Sequence, residues 1–221
     1  GLAQAWNYKD DLTLVLDLRE GVTFHDGTPM DAEAVRFNLE RSRSDQKSNI
    51  KVDVASIESV AVSGPLQVTI KLKAPDRSVP LVLSDRAGMM VSPTAIKAGG
   101  GAIDRAPVGA GPWKFGKWDD GAIVTYERFP AYWDKGLPKV DRLEMKIIPE
   151  VNTGVRSVTA GENDIVVAVP PIQKPQLERA GKLQVFAGTT LYLHMIYIDF
   201  SKPPFNDVRV RRALNLAIDR D

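Results

Sequence analysis

Between Leu12 and Glu40 the hydrophobic period changes once, and it changes across five residues. "LTLVLDL" alternates: Leu12, Leu14, Leu16 and Leu18 point one way, Thr13 and Asp17 the other, with Val15 between them. Period two of this kind is a half-buried strand. "EGVTF" then turns back, with Gly21 at the bend, and is expected to pair with that strand. After "HDGTP" the period becomes helical. Ala32, Val35 and Leu39 share one face with Phe37 beside it, and Arg36 and Glu40 lie four apart on the wet side. Thr28 is the expected cap, Pro29 suits the first turn, and Asp31 follows three residues after the cap. His25, Asp26 and Gly27 make the bend, where Gly27 is expected to take a dihedral that a side chain resists.

Further along, strands and helices keep alternating. "IESVAVSGPLQVTIKL" has two alternating segments around "SGP", the pattern of an antiparallel hairpin. "VGAGPWKFGKWDDGAIVTYER" gives a second, in which Trp113, Phe115 and Trp118 precede the turn "DDG" and aromatic side chains pack across the strands. "RLEMKIIP" reads as a strand, "NDIVVAV" as a buried strand ended by Pro170 and Pro171, and "KLQVFA" and "LYLHMIYIDF" as two more. "VPLVL" and the run around Met89, Met90 and Val91 form a compact helix or an irregular segment between prolines. "TAIKAGGGAIDRAP" reads as a surface loop, "VNTGVRSVTAG" as one short helical turn or two, and "PIQKPQLERAG" as a short helix. A final helix begins after Phe205, capped by Asn206 or Asp207, with Val210, Ala213, Leu214, Ala217 and Ile218 as a buried stripe. No internal repeat appears, so the fold class is α/β, a mixed α+β arrangement rather than a barrel of regular repeats.

Composition removes several chemistries. The 221 residues, 43% hydrophobic, supply a core for one large domain or two smaller ones. A net charge of +1 gives no strong field toward nucleic acid, and "RVRRAL" reads as a solvated helix face. Without cysteine there is no thiol catalysis, disulfide or thiolate metal site, and two histidines, His25 and His194, do not make a multi-histidine centre. His25 beside Asp26 lacks a nucleophile, because Thr28 is the nearby hydroxyl and is expected to be engaged in capping. "VGAGP" lacks the Lys-Ser/Thr pair of a phosphate loop and runs into a strand. Asp141, Glu144, Glu150, Glu162 and Asp164 are spread over different elements, so no carboxylate pair is selected. The expectation is no catalytic residue, no metal and no cofactor. His25, Asp26, Gly27, Gly109, Gly111, Pro112 and Trp113 are assigned structural work, and Trp6, Trp118 and Trp133 packing. Binding candidates are Arg86, Met89 and Met90, where soft apolar groups flank a fixed charge, and Tyr192 and His194, which share one face of their strand.

Six blocks in order carry a family resemblance: "GLAQAW", "LTLVLDLREGVTFHDGTPMDAEAVRFNLER", "PVGAGPWKF", "YERFPAYWDKGLPKVDRLEMKIIPE", "AGENDI" and "KPPFNDVRVRRALNLAIDRD". Together they resemble the solute-binding proteins of peptide and nickel ABC importers, the extracellular family 5 type. The resemblance implies a periplasmic binding protein type II-like clamp of two lobes that closes on a solute and does no covalent chemistry. This partial chain is then expected to cover most of the first lobe, residues 1–198, incomplete at its N-terminus. Residues 199–221 would carry the crossover "YIDFSKPPFNDVR" and the first helix of the second lobe, the rest of which lies outside the chain. The implied partners are an oligopeptide or other small solute and the transmembrane subunits of an ABC permease, with no nucleic acid. The implied location is the periplasm, or a lipid anchor outside the cytoplasmic membrane. The segment Ser84 to Val91 would lend Arg86 to the pocket, and Tyr192 and His194 would form the wall before the hinge. "TLYLHMIYIDFSKPP" departs from the family pattern, with Asp199 where an asparagine is usual, which leaves peptide, nickel chelate, haem, sugar and opine open as solutes. The other readings of the residues are a hydrolase acting on a small polar substrate and a structural or interaction module.

Overall fold

The computed structural model describes residues 1–99, 102–179, 181, 183–188 and 195–219. They form two compact units, Gly1–Glu150 and Val151–Asp221.

The first unit is built on a four-stranded antiparallel sheet in the order β1 (Ala3–Asp10), β2 (Thr13–Leu18), β4 (Gln67–Leu72), β3 (Ile57–Gly64). The expected strand at Thr13–Leu18 and the "SGP" hairpin are both present. The opening residues, which carry no clear period, form β1, with Trp6 opposite Leu16 and Tyr8 opposite Leu14. That pairing displaces the expected return of "EGVTF". With β1 on one side and β4 on the other, β2 has no free edge, and Thr23 makes only an isolated bridge to Pro29. The central position also covers both faces of β2. Leu14, Leu16 and Leu18 enter the core, while Val15 and Thr13 on the opposite face are buried as well. Thr13 is satisfied there by Asp10 Oδ2 at 2.8 Å and by Lys71 Nζ at 2.7 Å.

Helix α1 (Ala32–Ser44) covers the core face and contributes Ala32, Val35 and Leu39 to it. Its cap is Asp31, not Thr28: Asp31 Oδ1 accepts from the N–H of Ala34 at 2.9 Å. Thr28 is taken instead by the preceding turn, where its hydroxyl donates to Asp26 at 2.6 Å. Arg36 and Glu40 do not pair with each other, because each finds a partner three residues away, Glu33 and Arg43. Glu40 and Arg43 then tie the helix to β3: Glu40 Oε1 accepts from Val60 N–H at 3.0 Å, and Arg43 donates to the carbonyls of Ile57 and Glu58.

Short helix α2 (Val79–Val82) and a 3-10 turn at Arg86–Gly88 follow. The segment read as a surface loop is in part helix α3 (Pro93–Gly99), started by Ser92, whose Oγ accepts from Ala95 N–H at 3.1 Å. A second antiparallel sheet has the order β5 (Trp113–Asp119), β6 (Ile123–Arg128), β7 (Arg142–Lys146). It confirms the aromatic hairpin, with Phe115 opposite Tyr126 and their rings edge to face at 6.3 Å. Trp118 is not packed inside; it is exposed and carries Arg105 over its ring at 4.4 Å.

The second unit contains α4 (Val151–Thr159), α5 (Lys174–Arg179) and α6 (Val208–Leu216). Asp207 caps α6, accepting from Arg209 N–H at 2.8 Å, as the sequence suggests. The strands expected at "NDIVVAV", and in the described parts of "KLQVFA" and "LYLHMIYIDF", are absent. A strand needs a hydrogen-bonded neighbour, and none of these segments has one among the described residues. Ile165, Val167 and Phe186 are instead 81%, 79% and 84% exposed. The apolar stripe of α6 is likewise not buried, because nothing described in this unit covers it.

Candidate solute-binding cavity

The first unit carries a cavity of about 390 Å³. Three stretches of chain form its wall: the bend at His25, the segment Gly88–Met90, and the loop Gly109–Gly111. Trp113, Phe115 and Tyr126 from the second sheet, with Tyr132 and Trp133, complete it. Met89 and Met90, two of the binding candidates offered by the sequence, are among the lining residues, and Met89 is 71% exposed. Arg86 begins the same turn but does not line the cavity. It is held by Asp53, Nε to Oδ2 2.8 Å, and this exposed contact raises its already high pKa. Tyr192 and His194 lie outside the described residues.

The three stretches are fastened by main-chain hydrogen bonds. His25 N–H donates to Gly109 O at 2.8 Å, and its Nε2 meets Gly111 O at 3.0 Å. A carbonyl oxygen only accepts, so Nε2 carries the proton and Nδ1 is left as a lone pair. That Nδ1 is buried and has no hydrogen-bond partner. Burial pushes the imidazole pKa down; the bond to Gly111 opposes it, Lys114 adds to the lowering, Asp26 opposes it least, and the net direction is down. The ring also packs edge-on against Phe129 at 4.9 Å, whose N–H donates to Pro112 O at 2.9 Å.

Asp26 braces the second stretch. It accepts from Ser92 Oγ at 2.5 Å and from both N–H and Oγ1 of Thr28, at 3.0 and 2.6 Å. Its burial would raise its pKa, but the bonds from Ser92 and Thr28 outweigh this and hold the carboxyl below its usual value. Gly27 has φ +84°, the left-handed bend expected of it. Ser92 N–H in turn donates to Val108 O at 2.8 Å.

Asn38 is a functional residue that sequence reasoning missed. It sits on α1, only 5% exposed, and grips Val91 from both sides: Nδ2 donates to Val91 O at 2.8 Å and Oδ1 accepts from Val91 N–H at 3.0 Å. Its amide thus fixes the backbone that carries Met89 and Met90. The available signal was an amide inside an otherwise apolar helix stripe, next to Leu39.

Among the described residues no acid-base-nucleophile constellation faces this cavity. His25 lacks a hydroxyl partner, and Asp26 is committed to Ser92 and Thr28.

Comparisons with known proteins give the family. A family model for the middle part of bacterial extracellular solute-binding proteins, family 5, matches residues 1–221. The glutathione-binding protein GsiB of Escherichia coli strain K12 is 32% identical over 224 residues, spanning 99% of this chain and 43% of GsiB. MoaA from A. tumefaciens R10, solved with mannopinic acid, superposes with a TM-score of 0.87 at 26% identity, over 99% of this chain and 45% of MoaA. NikZ from Campylobacter jejuni, solved with Ni(L-His), shares the fold with a TM-score of 0.84 at 24% identity, over 99% of this chain and 44% of NikZ. The chain therefore spans less than half the length of the curated relatives it matches. Its mixed α/β architecture is that of type II periplasmic binding proteins, and the chain belongs to the bacterial extracellular solute-binding proteins, family 5.

Proposed function

We propose that the chain is part of the substrate-binding component of an ABC importer, which captures a peptide or related small solute and delivers it to a membrane permease. It works in the periplasm, or on a lipid anchor outside the cytoplasmic membrane, and carries out no covalent step. The observation that carries this reading is the cavity against Met89 and Met90, whose wall is fastened by hydrogen bonds to main-chain groups and, among the described residues, faces no reactive group. The family match and the likeness to GsiB and MoaA support it.

On this reading residues 1–198 belong to the first lobe, and residues 199–221 carry the crossover and the opening helix of a second. Met89 and Met90 touch the solute. Arg86 exchanges Asp53 for a charged end of the solute, which an exposed ion pair permits. Tyr192 and His194 add a wall before the hinge. Closure follows from population shift, since a solute touching both lobes favours the closed form.

The test is native mass spectrometry of the full-length natural gene product purified from its source. A retained small molecule, followed by calorimetric binding of that molecule with no turnover, is the expected result. Steady consumption of the molecule, or a protein that retains none and binds no peptide, opine or metal chelate, overturns the proposal.

A further inference from the structure

The cavity has a peculiarity that bears on what enters it. Among the described residues its lining includes no Asp, Glu, Lys or Arg side chain. It is formed by five aromatic rings, two methionines and a glycine-rich loop. From this we infer that the cavity receives an uncharged, flat, apolar part of the solute, an aryl group or one of similar shape. The inference rests on the reading of the cavity as the solute site.

Each kind of charge is disfavoured by a separate observation. A buried anion needs a cationic partner, and the lining has none: its side-chain donors are the neutral hydroxyls of Tyr126 and Tyr132 and the indole N–H groups of Trp113 and Trp133. The Nε2 proton of His25 is spent on Gly111 O, and its Nδ1 is an acceptor. A carboxylate buried here would lose water without gaining an opposite charge, which is unfavourable in general. A cation would find aromatic faces, which normally attract it. Here the Trp133 ring already holds Arg19, 4.1 Å from its centroid, so a second positive charge at that ring meets repulsion. What remains is a neutral group. Rings and thioethers contact flat apolar groups well, the sulfur adapting to the edge of a ring. The volume, about 390 Å³, lies in the range of small-molecule pockets. Arg86, at the start of the turn that brings Met89 to the wall, leaves the charged end of such a solute a place outside the cavity.

The experiment uses the full-length natural gene product and two probes that share an arylamine skeleton: neutral N-phenyl-1-naphthylamine and anionic 8-anilino-1-naphthalenesulfonate. The neutral probe is expected to bind with one-to-one stoichiometry and to receive excitation energy from Trp113 and Trp133. The sulfonate is expected to bind about tenfold more weakly or worse, the effect of one unpaired charge. Met89→Asp, at an exposed side chain, should weaken the neutral probe about tenfold with an unchanged melting temperature. Indole should displace the probe where cyclohexanol at equal concentration does not. Equal affinity for the two probes, no binding of the neutral one, or indifference to Met89→Asp overturns the inference. A segment of the longer protein filling the cavity would give the second of these outcomes. The two readings fail separately. If the neutral probe binds as expected but a retained natural solute fails to displace it, the solute-site reading falls and the chemistry of the cavity stands. If a retained solute binds through Met89 while the neutral probe does not, the site stands and the inference falls.

Discussion

His25 is kept neutral by its surroundings, and this has a measurable sign. Its folded pKa lies below the unfolded value, chiefly through burial. Between those two values the unfolded chain binds a proton that the folded chain refuses, so stability rises with pH there. The contribution is complete above about pH 6.5 and is lost as pH falls through the folded value. Urea midpoints measured from pH 8 downward should decline in this window, and His25→Gln should flatten that part of the profile. Asp26 acts in the same direction but lower: its folded pKa is depressed, so its contribution begins to fail only as pH drops below about 3.9. The two slopes are separable because their windows are. A flat profile between pH 8 and 5 would show that the imidazole titrates freely. Asn38 gives the second prediction. Asn38→Ala leaves the N–H and carbonyl of Val91 without their partner and should cost about 1–3 kcal/mol in denaturant unfolding. It should also weaken solute binding, although Asn38 touches no solute; Asn38→Asp, which sets a buried carboxylate oxygen against the carbonyls of Ala34 and Val91, should be no milder than Asn38→Ala.

Gly88 shows why the turn before Met89 tolerates no side chain. A Cβ at this position would lie 1.8 Å from the carbonyl oxygen of Leu83, a backbone atom that cannot rotate away. Gly88→Ala should therefore force Leu83 and Met89 apart, lower stability by about 1–3 kcal/mol and disturb the cavity together with it. A melting temperature and probe affinity equal to those of the parent would mean the turn is more pliant than its contacts suggest. Elements of this kind were unevenly legible. The hairpins at Ile57–Leu72 and Trp113–Arg128 and the helix at Ala32–Ser44 follow from period and punctuation, because each buries a face against something close in sequence. Strand β1 was not legible: most of its side chains are exposed, and its place is set by the hydrogen bonds of β2. The opposite error occurred at Ile165–Val167 and Gln184–Ala187, where apolar residues imitate a strand but have no neighbour to pair with. At the cavity, Met89 and Met90 were visible as soft apolar groups beside a charge. Asn38 was hidden, since its purpose depends on a residue 53 positions away.

The two units differ in how much they cover. The first holds the hydrophobic core, from Leu14 and Phe24 to Ile70 and Leu72. In the second, Phe186, Tyr197 and Phe200 stand 84%, 87% and 70% exposed. Brief chymotrypsin digestion of the 221-residue polypeptide should thus cut at these three positions first and leave a resistant product that contains residues 1–150 and ends at or before Phe186, read by intact-mass analysis. Early cleavage after Phe24 or within β2 instead would contradict the division. Within the resistant unit, the wall beside the cavity owes its course to amide and carbonyl groups of Val91, Val108, Gly109 and Gly111, gripped by Asn38, Ser92 and His25. Met89 and Met90 take no part in that fastening through their sulfur atoms. A lineage could therefore exchange either thioether for a different side chain and acquire a new diet without rebuilding the frame, so that appetite and architecture evolve at different rates.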